Sequence, residues 1–196
     1  MDHQGAIEYI LNRLERELPE HLLYHGHHHT IDVLEASERI GRHEGVSEEE
    51  LNLLLVATAF HDCGFLHGPE DHEEKGSGIA REVLPQFGYG PSELEQICEM
   101  IMATKVPQTP SGKLSYILCD ADLDYLGRGD FEPVADSLYN EMLHLNIVSD
   151  TEAWNRIQLG FLSEHSFHTP YGKTLRQPKK QEHLEKIRAI VSGYDN

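Results

Sequence analysis

Leu51-Asn52-Leu53-Leu54-Leu55-Val56-Ala57-Thr58-Ala59-Phe60-His61-Asp62-Cys63-Gly64-Phe65 is the stretch whose reading decides the fold. From Leu51 to Phe60 it is the most apolar segment of the chain, too apolar for a surface helix with one buried stripe. A helix of that kind is buried over most of its circumference, so other helices must surround it. It ends by presenting an imidazole and a carboxylate on adjacent residues, two ligand types suited to a metal ion. A His-Asp dipeptide alone says little, and the case depends on what stands before and after it.

Outward from this segment, helical spacing appears almost everywhere, and no stretch alternates with period two for long enough to make a strand. Ser47-Glu48-Glu49-Glu50 is a capping box that starts the buried helix, with Val46 and Leu51 placed as a hydrophobic staple. Before it, Ile7, Ile10, Leu14 and Leu18 form one stripe, ended by Pro19, and His29, Val33, Ala36 and Ile40 form another. After it, Cys63 to Asp71 holds two glycines and a proline and reads as a loop. A helix then runs from about His72 to Phe87, Gly88 to Gly90 breaks it, and Pro91 opens the helix of Leu94, Ile97, Cys98 and Ile101. Val106 to Gly112 is a loop. Leu114, Ile117, Leu118, Ala121 and Tyr125 mark a helix, as do Phe131, Val134, Leu138, Met142 and Leu145. Ser149-Asp150-Thr151-Glu152 reads as a second capping box ahead of Trp154, Ile157, Phe161 and His165, and a last helix after Pro170 carries Leu184, Ile187 and Val191. The expectation is one all-α domain over residues 1–196, a bundle of eight or nine helices.

Composition bounds the function. With 196 residues, 26% charged and 39% hydrophobic, the chain has the profile of an ordinary soluble domain. Its net charge of −18 argues against binding nucleic acid polymers or anionic membranes. A phosphate-bearing small substrate remains compatible, because a local cation reverses the field inside a pocket. The three cysteines, Cys63, Cys98 and Cys119, form no CxxC pair and sit in apolar contexts, as reduced buried thiols do. No signal-peptide core and no run of eighteen apolar residues is present, so a cytoplasmic location is expected.

Several polar side chains are placed where burial is expected. His29 shares a helical face with Val33, Ala36 and Ile40; it is either a core histidine satisfied by a neighbour or a ligand. Asp62 at the end of a buried helix needs a cation or several donors, and a metal or a structural ion pair would serve. Asp120-Ala121-Asp122-Leu123-Asp124 supplies three carboxylates that cannot all serve one ion, since they point in different directions around a helix. Asp124 reads as part of a solvated face. Asp120 and Asp122 both lie at the edge of the apolar stripe, and periodicity does not choose between them.

Tyr24-His25-x-x-x-His29-Thr30-x-x-Val33, then Ala59-Phe60-His61-Asp62, then Asp120-Ala121-Asp122-Leu123 resembles the HD-domain superfamily of metal-dependent phosphohydrolases. The likeness covers about residues 23–126, with the helices of residues 130–192 expected to pack on that core. The gaps of thirty-two and sixty residues fit the superfamily's order of a His, a His-Asp pair and a later Asp. The resemblance implies that His29, His61, Asp62 and Asp122 bind one divalent metal per chain, with Asp122 preferred because the family has Ala-Asp here. Two imidazoles and two carboxylates suit Mn, Fe, Co or Ni better than Mg. A metal-activated water would then cleave a phosphomonoester or phosphodiester, of a nucleotide for instance, with Asp62 or a nearby histidine orienting the water.

His72 matches the first of the extra histidines that two-metal relatives carry, but Thr104-Lys105 stands where the second would fall. His72 therefore reads as a substrate contact or general acid, or as a plain histidine at a helix start. Lys105 reads as a phosphate-neutralising cation or as a solvated cation at a helix end. His67 reads as an exposed loop residue. The basic tail with Arg176, Lys179 and Lys180, together with Arg128, reads as a charged face packed on acidic helices or as a phosphate clamp. Two other functions share this sequence pattern: a di-iron oxygenase of the same fold, and a catalytically silent metal- or ligand-binding regulatory module.

Overall fold

The computed structural model describes residues 1–194. Among them are nine α-helices and no strand: α1 (His3–Glu17), α2 (His27–His43), α3 (Glu48–Phe60), α4 (His72–Val83), α5 (Pro91–Ala103), α6 (Lys113–Asp122), α7 (Phe131–His144), α8 (Thr151–Glu164) and α9 (Gln177–Tyr194). The all-α expectation holds. Packing divides the chain into two compact units, one of Met1–Glu20 with His25–Asp122 and one of His21–Tyr24 with the chain from Leu123 onward.

In the first unit α3 is the central element, packed by α1, α2, α4, α5 and α6. Its Leu54, Val56, Ala57, Ala59 and Phe60 are fully buried, as the unbroken apolar run requires. Each large side chain among them contributes about 1.5–3 kcal/mol of burial free energy. The Ser47 cap is formed in both directions: its hydroxyl accepts from the Glu50 N–H, and the Glu50 carboxylate accepts from the Ser47 N–H. Around α3 lie Ala6, Ile10 and Leu14 of α1, Val33, Ala36 and Ile40 of α2, Ile79 and Ala80 of α4, Ile97 and Ile101 of α5, and Ile117 and Leu118 of α6.

The segment after α3, expected as an open loop, contains a 3₁₀ turn over Cys63–His67. This turn lies against the start of α4. A Cβ built on Gly64 would stand 1.8 Å from the His72 carbonyl oxygen, so only glycine allows the approach. The helix expected over residues 72–87 ends at Val83 and continues as a 3₁₀ turn over Leu84–Phe87, because Pro85 removes a backbone donor.

The second unit is built on a core of Tyr24, Leu123, Tyr125, Leu126, Phe131, Trp154, Leu162, Phe167, Leu184, Ile187 and Val191. Here the sequence expectations need three corrections. Asp150, rather than Ser149, caps α8, accepting from the Ala153 N–H at 2.9 Å. Ile157, expected to face inward, is 43% exposed. Asp124, expected in solvent, is 1% exposed, because α6 stops at Asp122 and a 3₁₀ turn over Asp124–Gly127 redirects its side chain. Arg176 holds it through Nε at 2.7 Å and Nη2 at 3.3 Å, with Tyr171 Oη 2.9 Å from the same guanidinium. Arg128 pairs with Asp130 at 2.9 Å and approaches Asp124 at 3.7 Å. Lys180 is buried and donates to the carbonyls of Leu162 and His165, closing the end of α8.

Candidate metal centre

α2, the end of α3 and the end of α6 bring the proposed ligands together. The helical face that buries Val33, Ala36 and Ile40 also turns His29 inward, where it is 5% exposed. His61 terminates α3. Its Nδ1–H donates to the Thr58 carbonyl at 2.7 Å, which orients the ring and leaves Nε2 facing away from the helix. Asp62 follows at φ −103° and ψ 5°, in the sparsely populated bridge region where active-site residues are often found. Asp122 is the last residue of α6.

The donor atoms converge. His29 Nε2 is 3.2 Å from Asp122 Oδ1 and 3.5 Å from Asp62 Oδ2. His61 Nε2 is 3.6 Å from Asp122 Oδ1 and 3.3 Å from Asp62 Oδ2. Adjacent donors about 2.1 Å from a common ion stand about 3.0–3.4 Å apart, so these spacings are close to those of a coordination shell. The ligand atoms of His29, His61 and Asp122 all lie within 4.8 Å of one another, and Asp62 joins them through the two imidazoles. His61 Nε2 and Asp62 Oδ2 are buried without hydrogen-bond partners. Two such atoms side by side are costly unless a proton or a metal ion offsets the charge. The donor set fits a divalent metal.

The electrostatics agree. Burial works against ionisation of Asp62, but His61 beside it, then His25 and His29, hold its carboxyl well below the usual carboxylate range. Burial likewise opposes ionisation of Asp122, and the hydrogen-bonded His29 with the neighbouring His61 imidazole overcomes it, pulling the carboxyl down to about 2. Burial disfavours a protonated His61, yet the Asp62 and Asp122 carboxylates raise it well above the ordinary histidine range in the metal-free protein. Both carboxylates are thus anionic and ready to ligate. Asp120, the alternative ligand, is buried at 1% exposure but does not belong to the cluster.

His72 also reaches the site. Its Nδ1–H donates to the Pro69 carbonyl at 3.2 Å, and its Nε2 lies 3.6 Å from Asp62 Oδ1 and 3.3 Å from Glu73 Oε1. Phe65 packs against two imidazoles, with ring centroids 4.3 Å from His25 and 4.2 Å from His72. Lys105 Nζ pairs with Asp71 at 3.1 Å and Glu74 at 2.6 Å, on the turn that begins α4. His67 is exposed, as expected.

Sequence reading missed three residues of this neighbourhood. Glu73, in a run of acidic residues at a helix start, points inward and is 6% exposed. Phe65 carried no signal beyond being apolar. Gln108, in the proline-rich loop, brings its Nε2 to 3.5 Å from Asp122 Oδ2; no periodicity marks a loop residue.

Comparison with known proteins identifies the family. The HD domain family matches residues 26–123, half of the chain, and the chain belongs to that family. A bifunctional uridylyltransferase/uridylyl-removing enzyme from Cereibacter sphaeroides is 30% identical over 115 residues, which take in 50% of this chain and 12% of that protein. The chain therefore spans about an eighth of that relative. A crystal structure of a predicted HD superfamily hydrolase from an uncultured Thermotogales bacterium superposes with a TM-score of 0.65 at 20% identity, over 98% of this chain and 93% of the other. That likeness shows that the helical fold is shared. No helix among the described residues is long and apolar enough to cross a membrane.

Proposed function

We propose that the protein is a metal-dependent phosphohydrolase that cleaves a phosphomonoester or phosphodiester, with nucleotides as the first substrate class to test. The observation that carries this reading is the convergence of His61 Nε2 and Asp62 Oδ2, both buried and without a hydrogen bond, inside a ring of donors 3.2–3.6 Å apart. His29, His61, Asp62 and Asp122 would hold one divalent ion, and two imidazoles among four donors favour Mn, Fe, Co or Ni over Mg. Bound there, the ion supplies Lewis acidity, lowering the pKa of a water and drawing charge from a phosphoryl oxygen.

The remaining roles fall to the chain's own groups. Asp62 has two differently placed oxygens: Oδ2 faces the imidazoles of His29 and His61, while Oδ1 faces His72. Its Oδ1 can orient a nucleophilic water by accepting a hydrogen bond. His72, with Nδ1–H committed to Pro69, offers Nε2 to take or return a proton on the substrate side. Lys105, held by Asp71 and Glu74, steadies the turn that carries His72.

Activity on a panel of nucleotides and generic phosphoesters with Mn, Co and Ni tests this reading. Turnover that disappears in His29→Ala, His61→Ala and Asp122→Ala is expected. Metal binding with no turnover across the panel would favour a regulatory module. Two irons per chain in protein purified without added metal would favour the oxygenase.

A further inference from the structure

Asp122 sits at the end of α6, where the helix dipole disfavours a carboxylate. An anion in that position needs a donor to hold it. Gln108 is placed to supply one. Its Nε2 lies 3.5 Å from Asp122 Oδ2 and 3.4 Å from the Cys119 carbonyl. A primary amide has two N–H groups, and here each has its own acceptor. Cys119 and Asp122 are three residues apart, so both acceptors lie in the last turn of α6.

The amide has only one sensible orientation. Turned over, it would set Oε1 against a carbonyl and a carboxylate, three acceptors with no proton between them. In the observed orientation Oε1 is buried and has no hydrogen-bond partner, so the donor end alone fixes the side chain. The two oxygens of Asp122 are thereby given separate tasks. Oδ2 meets Gln108, and Oδ1 faces His29 Nε2 at 3.2 Å and His61 Nε2 at 3.6 Å.

We propose that Gln108 is a positioning residue for Asp122, holding Oδ2 so that Oδ1 points at the metal-ligand cluster; this rests on the metal site described above. Gln108 acts through Asp122 rather than as a ligand itself. Its effect is read in how tightly the site grips a metal, since groups that orient metal ligands typically change affinity by about 10- to 100-fold when removed.

The test compares wild type with Gln108→Ala and Gln108→Met by titrating Co²⁺ into metal-free protein and following the visible absorption of the ion. Methionine keeps the length and bulk of glutamine but has no N–H donor, so it separates a lost hydrogen bond from a lost contact. The expected result is Co²⁺ affinity about 10-fold weaker or more in both variants, with the melting temperature of the metal-free protein unchanged. Co²⁺ bound by Gln108→Met as tightly as by wild type would overturn the inference. So would an affinity loss that accompanies an equal loss of metal-free stability, because that marks a packing role. If wild type itself bound no Co²⁺, the metal site would fall and this inference with it; wild-type binding with unaltered variants would sink Gln108 alone.

Discussion

Gly64→Ala perturbs a close backbone approach in the first unit. The added Cβ would stand 1.8 Å from the His72 carbonyl oxygen, 2.6 Å from its carbon and 2.9 Å from the Gly76 nitrogen. The first contact is about 1.5 Å short of ordinary van der Waals separation. All three atoms are backbone, so no side chain can swing aside, and either the turn after Asp62 or the start of α4 must move. Overpacking of this kind costs about 1–3 kcal/mol, and a clash with rigid backbone belongs at the upper end. At about 2–4 °C per kcal/mol for a chain of this size, the melting temperature should fall by roughly 6–12 °C. The same displacement carries His72 away from Asp62, now 3.6 Å off. Gly78→Ala is the matched control. It lies in α4, is exposed, and its Cβ would meet nothing within 4 Å. Helix propensity predicts that it raises stability by about 0.5–1 kcal/mol. Thermal melts followed by circular dichroism decide the matter. An unchanged melting temperature in Gly64→Ala, or a fall as large in Gly78→Ala, would refute the packing argument.

Arg176→Met should destabilise the protein by about 3 kcal/mol in urea titrations, since it leaves the buried Asp124 carboxylate without its main cation; a change under 1 kcal/mol would show that Arg128 suffices alone. Metal binding at neutral pH should release about one proton per ion, because His61 keeps its proton in the metal-free protein and must shed it to ligate. Affinity should accordingly rise with pH until that proton is already gone. Calorimetry in buffers of different ionisation enthalpy reads the release, and a value of zero would contradict the raised His61. Burial pushes the thiols of Cys63 and Cys119 upward, so both should resist alkylation at pH 8 in the native state and react on unfolding. Prompt labelling of either in folded protein would argue against the packing around α3 and α6.

The sequence carried the parts of this fold that obey a period. The unbroken apolar run of Leu51–Phe60 demanded a helix buried on all sides, and α3 is that helix. A histidine spaced with Val33, Ala36 and Ile40 had to face the core, and His29 does. Where the backbone leaves the regular helix, the period stops informing. Asp120 and Asp122 flank the same stripe, and only the end of α6 at Asp122 turns one of them toward the imidazoles. Asp124 looked solvated on a continued helix, yet a 3₁₀ turn takes it to Arg176. Glu73 resembled the usual acidic first turn of a helix, and its burial follows from tertiary packing rather than local pattern. Gln108 lies in a loop, where nothing but the folded geometry relates it to Asp122.

Crystals grown with Mn²⁺ and measured for anomalous scattering would address the central claim most directly. The account predicts one strong peak per chain, bounded by His29 Nε2, His61 Nε2, Asp62 Oδ2 and Asp122 Oδ1, and its loss in His61→Ala. Density without such a peak, or a peak held by other residues while these four stay metal-free, would contradict it.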